Sequence, residues 1–171
     1  MRIVSLSILI GWVSLISISL TNLQEYRVHA GYIYHFTRYI EWPTNMQSGD
    51  FVIGIVGDSD ITGPLTAMAK SKKVGSQTMV IKRFSSATAA TNCHMLFLPA
   101  TKKGQLRDAV SLGIKNHTLI VTESKGLGKE GAGLNFIEKD GKLRFELNKG
   151  AIQNSGLKVS GELVNLSIPV E

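Results

Sequence analysis

The sequence is poor in cysteine, and Cys93 is the single one in 171 residues. One thiol cannot close an internal bridge, which excludes the small disulfide-stapled folds that are common among exported proteins. We therefore predict no disulfide and expect Cys93 to be a small buried hydrophobe. An intermolecular bridge through Cys93 is the alternative.

The motifs that usually carry catalysis are also missing. Neither an H-E-x-x-H helix nor a G-x-S-x-G elbow occurs, and the four histidines lack metal-ligand spacing. A G-x-G-x-x-G match spans residues 126–131, but it precedes a predicted strand, whereas a dinucleotide fingerprint opens a helix. His94 follows Cys93, and adjacent strand residues point to opposite faces, so the two cannot easily share a ligand. We predict no enzyme, no metal and no cofactor.

Positive charge is in excess, but it is scattered along the chain. The formal net charge is +6, with the densest cluster at Lys70, Lys72 and Lys73 and a pair at Lys102 and Lys103. Neither group is interleaved with aromatic residues or arginines. This pattern predicts a solvated face and no nucleic-acid partner.

The N-terminus carries the clearest compositional signal. A positive start at residues 1–2 precedes an uncharged apolar run at residues 3–20, after which the chain turns polar. We predict a signal peptide over residues 1–21, cleaved near residues 19–24. An uncleaved N-terminal anchor is the alternative, because the run approaches the length of a membrane span. Either way the rest of the chain is exported, and the predicted location is the periplasm.

The remaining residues, 22–171, read as one α/β domain, since neither a repeat nor a linker interrupts them. Short apolar segments alternate with helical patterns, which predicts a mixed, mainly parallel sheet with helices on both faces. Asp140-Gly141 predicts the turn of an antiparallel C-terminal hairpin. The predicted strands are 51–57, 78–84, 94–98, 118–122, 134–138 and 142–147. The predicted helices are 24–42, 61–69 with Asp60 as N-cap, 102–114, 148–154 and a short one at 162–166.

Aromatic side chains crowd the first predicted helix. Phe36 lies on its core stripe, while the tyrosines spread around its sides. Because exposed aromatics anchor partner surfaces, we predict Tyr32, Tyr39 and Trp42 as partner-binding residues. The alternative is a wide buried face with tyrosine hydroxyls at its rim. A second apolar set at residues 156–166 is core by default, with an exposed docking patch as its alternative.

With these segments in order, the chain resembles the YfiR-like family of periplasmic proteins. The resemblance rests on short motifs that follow one another along nearly the whole mature chain. They are AGYIYHFTRYIEWP at 30–43, FVIGIVG at 51–57, NCHMLFL at 92–98, TLIVTE at 118–123, GAGLNF at 131–136, RFELN at 144–148 and GLKVS at 156–160. Each motif is weak alone, and the ordered set is fairly specific.

The resemblance implies a small periplasmic regulator. Relatives bind the periplasmic sensor domain of an inner-membrane diguanylate cyclase and repress it, and an outer-membrane-associated lipoprotein can sequester the repressor, so that cyclic-di-GMP and biofilm output rise. Hydrophobic residues near the C-terminus contribute to partner binding in such proteins. The matching positions here are Leu157, Val159, Leu163 and Leu166.

The chain departs from the better-known relatives in its cysteines. Cys93 matches one of theirs, but the position that would pair with it falls in the first core strand, near Gly54. A later cysteine pair is absent as well. Control by an internal disulfide is therefore not expected.

Two functions follow from these observations. The first is a regulator that binds and represses the sensor domain of a membrane signalling protein. The second is a periplasmic small-molecule sensor whose ligand lies at the carboxyl ends of the strands, around Asp58, Ser59 and Thr122. A homodimer is left open in both cases.

Overall fold

The computed structural model describes residues 24–171, and the predicted signal peptide lies outside them. The helices are α1 at residues 24–36, α2 at Thr62–Ala69, α3 at Leu106–Asn116, α4 at Lys149–Asn154 and α5 at Gly161–Leu166. The strands are β1 at Ile40–Glu41, β2 at Phe51–Val56, β3 at Lys73–Val74, β4 at Gln77–Phe84, β5 at Met95–Leu98, β6 at Leu119–Thr122, β7 at Leu134–Lys139, β8 at Lys142–Asn148, β9 at Lys158–Val159 and β10 at Ile168–Val170. Two 3-10 helices lie at Thr44–Met46 and Ala100–Gln105. No helix within the described range has the length and hydrophobicity needed to span a bilayer.

Eight strands form one sheet in the order β10-β8-β7-β6-β5-β2-β4-β3. The pairs from β4 through β2, β5 and β6 to β7 are parallel, and so is β8 with β10. β7 and β8 form the antiparallel hairpin, and β3 pairs antiparallel with β4. Asp140 and Gly141 turn the hairpin with φ values of 54° and 66°, the left-handed conformation that a tight two-residue hairpin turn requires.

Helices cover both faces of this sheet, which explains why β2 is buried along its whole length. Ile53 and Ile55 face the core under α1, α2, α4 and α5, whereas Val52 and Val56 face the core under α3. The structure thus confirms the predicted mixed, mainly parallel sheet with helices on both faces and a C-terminal hairpin.

The first helix is shorter than predicted. Its pattern suggested a helix to residue 42, but α1 ends at residue 36 and a turn follows. The Thr37 hydroxyl donates to the carbonyl of Tyr34 at 2.6 Å, which favours leaving the helix. Ile40 then pairs with Val159, so β1 and β9 form a separate two-stranded sheet. Residues 40 and 41, which the helical pattern predicted to be helix, are therefore in a strand that pairs with a distant part of the chain.

Two other helix starts also differ. Ile61, and not Asp60, occupies the N-cap position of α2, and no described side chain caps that helix, so the predicted Asp60 cap is wrong. The helix predicted from residue 102 begins as a 3-10 helix, and α3 itself starts at Leu106. By contrast, Asn148 caps α4 by accepting the Ala151 N–H at 2.8 Å.

Candidate functional site

An apolar groove of about 470 Å³ opens between α1, β8 and α5. We call it the tyrosine groove. Its lining residues are Val28, Gly31, Tyr32, His35, Phe36, Tyr39, Arg144, Phe145, Leu163 and Leu166. The structure therefore brings together Tyr32, Tyr39, Leu163 and Leu166, which the sequence placed in two separate segments.

Hydrogen bonds hold α5 against the turn that follows α1. The Ser160 N–H donates to the Tyr39 carbonyl at 2.9 Å, next to the β1–β9 pair. The Tyr39 hydroxyl donates to Glu162 Oε1 at 3.2 Å. Ser160 Oγ also caps α5 by accepting the Leu163 N–H at 3.2 Å. These contacts fix one wall of the groove to the other without covering its apolar lining.

Aromatic rings form the floor of the groove. The Phe36 and Phe145 rings meet edge to face at 5.0 Å between centroids, and Tyr32 lies 5.9 Å from Phe145. Phe136, behind them, is 6.0 Å from Tyr32. Ring pairs at these distances attract one another beyond their burial, so the rings pack together as one surface.

Exposed apolar residues flank this floor. Among the described residues, the exposed large hydrophobics are Val28 at 45%, Ile114 at 48% and Leu166 at 62%. Single exposed hydrophobics are ordinary on a protein surface, but Val28 and Leu166 line the same groove. Arg144 and His35, both exposed, supply the polar edge. A concave apolar centre with a polar edge is the usual layout of a protein-binding surface.

The other predicted partner-binding residues lie elsewhere. Trp42 and Leu157 are only 5% and 2% exposed and belong to the core. The Trp42 Nε1–H donates to the carbonyl of His94 at 3.0 Å, which satisfies the indole inside the protein. We correct the expectation for these two, because they are buried and do not line the tyrosine groove, whereas Leu163, which is also only 2% exposed, does line it. Val159 is half-buried and pairs with Ile40 in the two-stranded sheet.

Sequence reasoning predicted Tyr32 and Tyr39 but missed Val28 and His35 beside them, and it missed the β8 residues of the groove. Val28, Tyr32, His35 and Tyr39 follow one another at spacings of four, three and four, which places them on one side of a helix. That signal was available in the sequence. The contribution of the β8 residues was not, because it depends on how the hairpin packs against α1.

A second pocket, of about 810 Å³, lies near the start of α1 at the carboxyl end of β6. We call it the acidic pocket. Its ionisable and aromatic lining residues are Glu25, Tyr26, His29, Glu123, Lys125, Phe136, Glu138 and Glu146.

The pKa values of two residues in this pocket are shifted. Burial raises the pKa of Glu123 above its usual range. The Ala100 N–H, which donates to Oε1 at 3.1 Å, acts in the opposite direction and lowers this pKa. Burial and the neighbouring Glu123 charge raise the pKa of Tyr26 to about 12. The Tyr26 hydroxyl therefore stays protonated and donates to Glu123 Oε1 at 3.3 Å.

The polar groups of Asp58, Ser59 and Thr122, where a ligand site was expected, each have a partner within the fold. Asp58 pairs with Arg83 at 2.6 Å, and the Ser59 hydroxyl accepts the Ile61 N–H at 3.4 Å. The buried Thr122 hydroxyl donates to an amide oxygen of β7 at 2.6 Å.

Cys93 and His94 lie on opposite faces of the sheet. Cys93 is buried beside α3, and burial raises the pKa of its thiol to about 11, so it is protonated near neutral pH. His94 stacks on Phe51, and its Nε2–H donates to the Met46 carbonyl at 2.7 Å while Nδ1 accepts the Val52 N–H at 3.1 Å. Over residues 24–171, no three or more of His, Cys, Asp and Glu are grouped to hold a metal ion.

A family model described as YfiR/HmsC-like matches residues 26–168. The chain belongs to the YfiR/HmsC-like family. The match runs from α1 to β10, so it includes every wall of the tyrosine groove. No curated protein matches the chain. Family membership supports a periplasmic regulator of diguanylate cyclase signalling, since proteins of this family are regulators rather than enzymes.

Proposed function

We propose that this protein is an exported periplasmic repressor that binds the sensor domain of an inner-membrane diguanylate cyclase through the tyrosine groove. The observation that carries the proposal is the grouping of exposed Val28 and Leu166 over a packed aromatic floor. Membership of a family of periplasmic regulators supports the class of partner.

The groove offers the features of a binding hot spot. Apolar side chains of the partner would cover Val28 and Leu166, and complete burial of such a residue contributes about 1.5–3 kcal/mol. Because the aromatic floor is already packed, little conformational freedom is lost when the partner docks. Arg144 and His35 at the edge suit a partner segment that combines apolar residues with an acidic one.

Repression requires the groove to distinguish two states of the sensor domain. A protein that binds the inactive conformation more tightly shifts the cyclase towards it, and the shift is limited by the difference in the two affinities. An outer-membrane-associated lipoprotein that occupied the same groove would release the cyclase, since one groove holds one partner.

A capture experiment tests the proposal. The mature protein is immobilised, membrane proteins from the same cell are passed over it, and the captured sensor is then produced as its isolated periplasmic domain. We expect saturable binding that Leu166→Glu weakens by at least roughly tenfold, because a charge is placed in an apolar contact.

Ile114→Glu is the matched control, since Ile114 is similarly exposed but lies on α3, outside the groove. Cellular cyclic-di-GMP should rise with Leu166→Glu and remain low with Ile114→Glu. Equal affinities for the two variants, or capture of proteins without any membrane sensor among them, would contradict the proposal.

A further inference from the structure

The acidic pocket is lined mainly by negatively charged groups, although the protein as a whole is positively charged. The chain has a formal net charge of +6, yet four carboxyl groups and one ammonium group line this pocket. The carboxyl groups are Glu25, Glu123, Glu138 and Glu146, and the ammonium group is that of Lys125. A concave site lined by one sign of charge attracts ligands of the other sign.

His29 provides an independent indication of a ligand. It is only 4% exposed, and its Nδ1 lies 3.0 Å from the carbonyl of Glu25 in the preceding turn of α1. In the neutral ring the hydrogen is therefore on Nδ1, and Nε2 is left as an acceptor. No described residue hydrogen-bonds to Nε2. Because Nδ1 faces the helix backbone, the edge with Nε2 faces the pocket that His29 lines.

Nε2 is not one of the fully buried atoms without a partner, which among the described residues are limited to Thr62 Oγ1, so this acceptor is open to the pocket and not sealed in the core. Phe136 holds the imidazole from one side, edge to face at 4.5 Å, and Tyr26 lies 5.3 Å away on its own helix. The ring is thus fixed in place with its acceptor presented to the pocket.

Glu123 presents a second acceptor. Its Oε1 receives both the Tyr26 hydroxyl and the Ala100 N–H, whereas no described residue donates to its Oε2. Glu123 directly follows β6, so it lies at the carboxyl edge of the parallel strands, where open α/β sheets bind ligands.

We propose that the acidic pocket binds a small organic cation, whose protonated amine donates to His29 Nε2 and Glu123 Oε2 while its carbon skeleton packs on Phe136 and Tyr26. The available groups at this position are acceptors, which a donor cation satisfies and an anion does not. The aromatic rings add attraction for the cation and cover for its hydrocarbon. The volume falls in the range of metabolite-sized sites.

This ligand site goes beyond the proposed partner binding and does not depend on it. A basic side chain of a protein partner could make the same two hydrogen bonds. The small molecule is favoured because the pocket is much larger than one such side chain needs and because His29 lies deep in it.

Calorimetry and thermal unfolding of the mature protein with putrescine test the proposal. The neutral isostere 1,4-butanediol is the control ligand, and about 150 mM salt suppresses weak surface attraction. We expect saturable binding of putrescine with a rise in melting temperature that grows with ligand concentration, and neither effect with butanediol. Spermidine and choline, as further probes, show how many donors the pocket accepts.

Two variants locate the site. Glu123→Gln keeps the Oε1 acceptor for Tyr26 and Ala100 and removes the charge, and His29→Phe removes Nε2 while keeping the ring. Each should weaken putrescine binding by roughly tenfold or more. Asp108→Asn, which removes an exposed carboxylate on α3 outside the pocket, should leave it unchanged.

Four outcomes overturn the proposal: no saturable binding of putrescine or spermidine, equal binding of butanediol, unchanged affinity in Glu123→Gln, or weakening of partner binding alone by that variant. The last outcome would assign the pocket to a basic side chain of the partner. Leu166→Glu should leave putrescine binding intact, so failure of this proposal and failure of the partner proposal are separable.

Discussion

The tyrosine groove and the acidic pocket lie on neighbouring faces of α1 and are built from opposite chemistry. Val28 and Tyr32 face the groove, whereas Glu25 and His29 face the pocket, because residues one position apart on a helix point about 100° from each other. The groove has exposed apolar residues over aromatic rings. The pocket has carboxylates and a buried imidazole acceptor.

The two surfaces nevertheless share one supporting ring, which lines the acidic pocket and lies behind the groove floor, and which we call the shared wall. Phe136 packs edge to face against His29 at 4.5 Å and against Tyr32 at 6.0 Å, so one ring of β7 supports both. Apolar contact favours a macromolecular partner that covers area, while converging acceptors favour a ligand with donors. One helix packed on one hairpin thus supports two kinds of recognition.

Removing the shared wall should have the largest effect. Phe136 is 3% exposed, and Phe136→Ala should lower the free energy of unfolding by about 3–5 kcal/mol, because it leaves a cavity between α1 and the hairpin. Urea unfolding measures the loss. Both partner and putrescine binding should weaken, whereas Phe136→Leu, which keeps most of the volume, should retain most of each. A full loss of one activity with the other intact would contradict a shared wall.

A charge on the groove side should separate the two surfaces. Val28→Glu places a carboxylate in the apolar groove and should weaken sensor-domain binding by roughly tenfold to a hundredfold, or about 1.4–2.7 kcal/mol. Putrescine binding should not fall, although Val28 directly precedes His29 in sequence, because its side chain faces away from the pocket. Ile114→Glu again controls for added charge. Equal loss of both activities would mean that the surfaces are not independent.

Much of the groove followed from the sequence, for identifiable reasons. The helical spacing of α1 and the apolar tail both survive in the structure, and Tyr32, Tyr39, Leu163 and Leu166 meet in the groove. Trp42 did not follow the same rule. It lies beyond the turn that ends α1, where the chain enters the core, and the sequence pattern of a continuous helix concealed that turn.

The acidic pocket shows a different limit. The rule that ligands lie at the carboxyl ends of parallel strands pointed to the edge of the sheet where the acidic pocket lies, but it selected Thr122, whereas the neighbouring Glu123 lines the pocket. Successive residues at a strand end point to opposite sides, so Thr122 turns to Asn135 of β7 and Glu123 turns to the pocket. The sequence also cannot show which acceptor of a buried imidazole stays unused, since that depends on the Glu25 carbonyl within α1 and on the packing of Phe136.

The opposite face of the sheet offers a change that should leave both surfaces unaltered. A Cβ atom added at Gly54 would lie 2.9 Å from Cys93 Sγ, which is close to bonding geometry for a disulfide. Gly54→Cys should therefore form a bridge to Cys93 under oxidising conditions, although Leu96 and Phe84 must shift by a few tenths of an ångström to admit it.

The bridge should raise the free energy of unfolding by about 1–2 kcal/mol relative to the reduced variant, below the loop-entropy limit because of that shift. Thiol titration and urea unfolding check it, with the reduced variant as the control. Partner and putrescine binding should equal those of the parent protein, because the bridge lies away from α1. A bridge that altered either affinity would show that the two faces are coupled.

The smallest expected effect is a pH dependence that distinguishes the two surfaces. The pKa of Glu123 is raised by burial, so the folded protein binds its proton more tightly than the unfolded chain does. Its contribution to stability is present below the ordinary glutamate pKa and is lost as the pH rises through the raised value. His94 acts in the opposite direction, because burial lowers its pKa and stability is lost as the pH falls below the ordinary histidine value.

The difference in the free energy of unfolding between the parent protein and Glu123→Gln reports the contribution of Glu123 alone, because His94 is present in both. Urea unfolding across mildly acidic pH should show that the stability of the variant increases relative to that of the parent as the pH rises. Putrescine requires the ionised carboxylate, so its affinity for the parent should fall as the pH is lowered through the raised pKa. Sensor-domain binding at the groove has no such carboxylate in its lining and should keep its affinity when Glu123 is replaced by glutamine. If putrescine affinity stayed constant through that range, the amine would not be bound by Glu123. Binding at the two surfaces would then not differ in its dependence on this carboxylate.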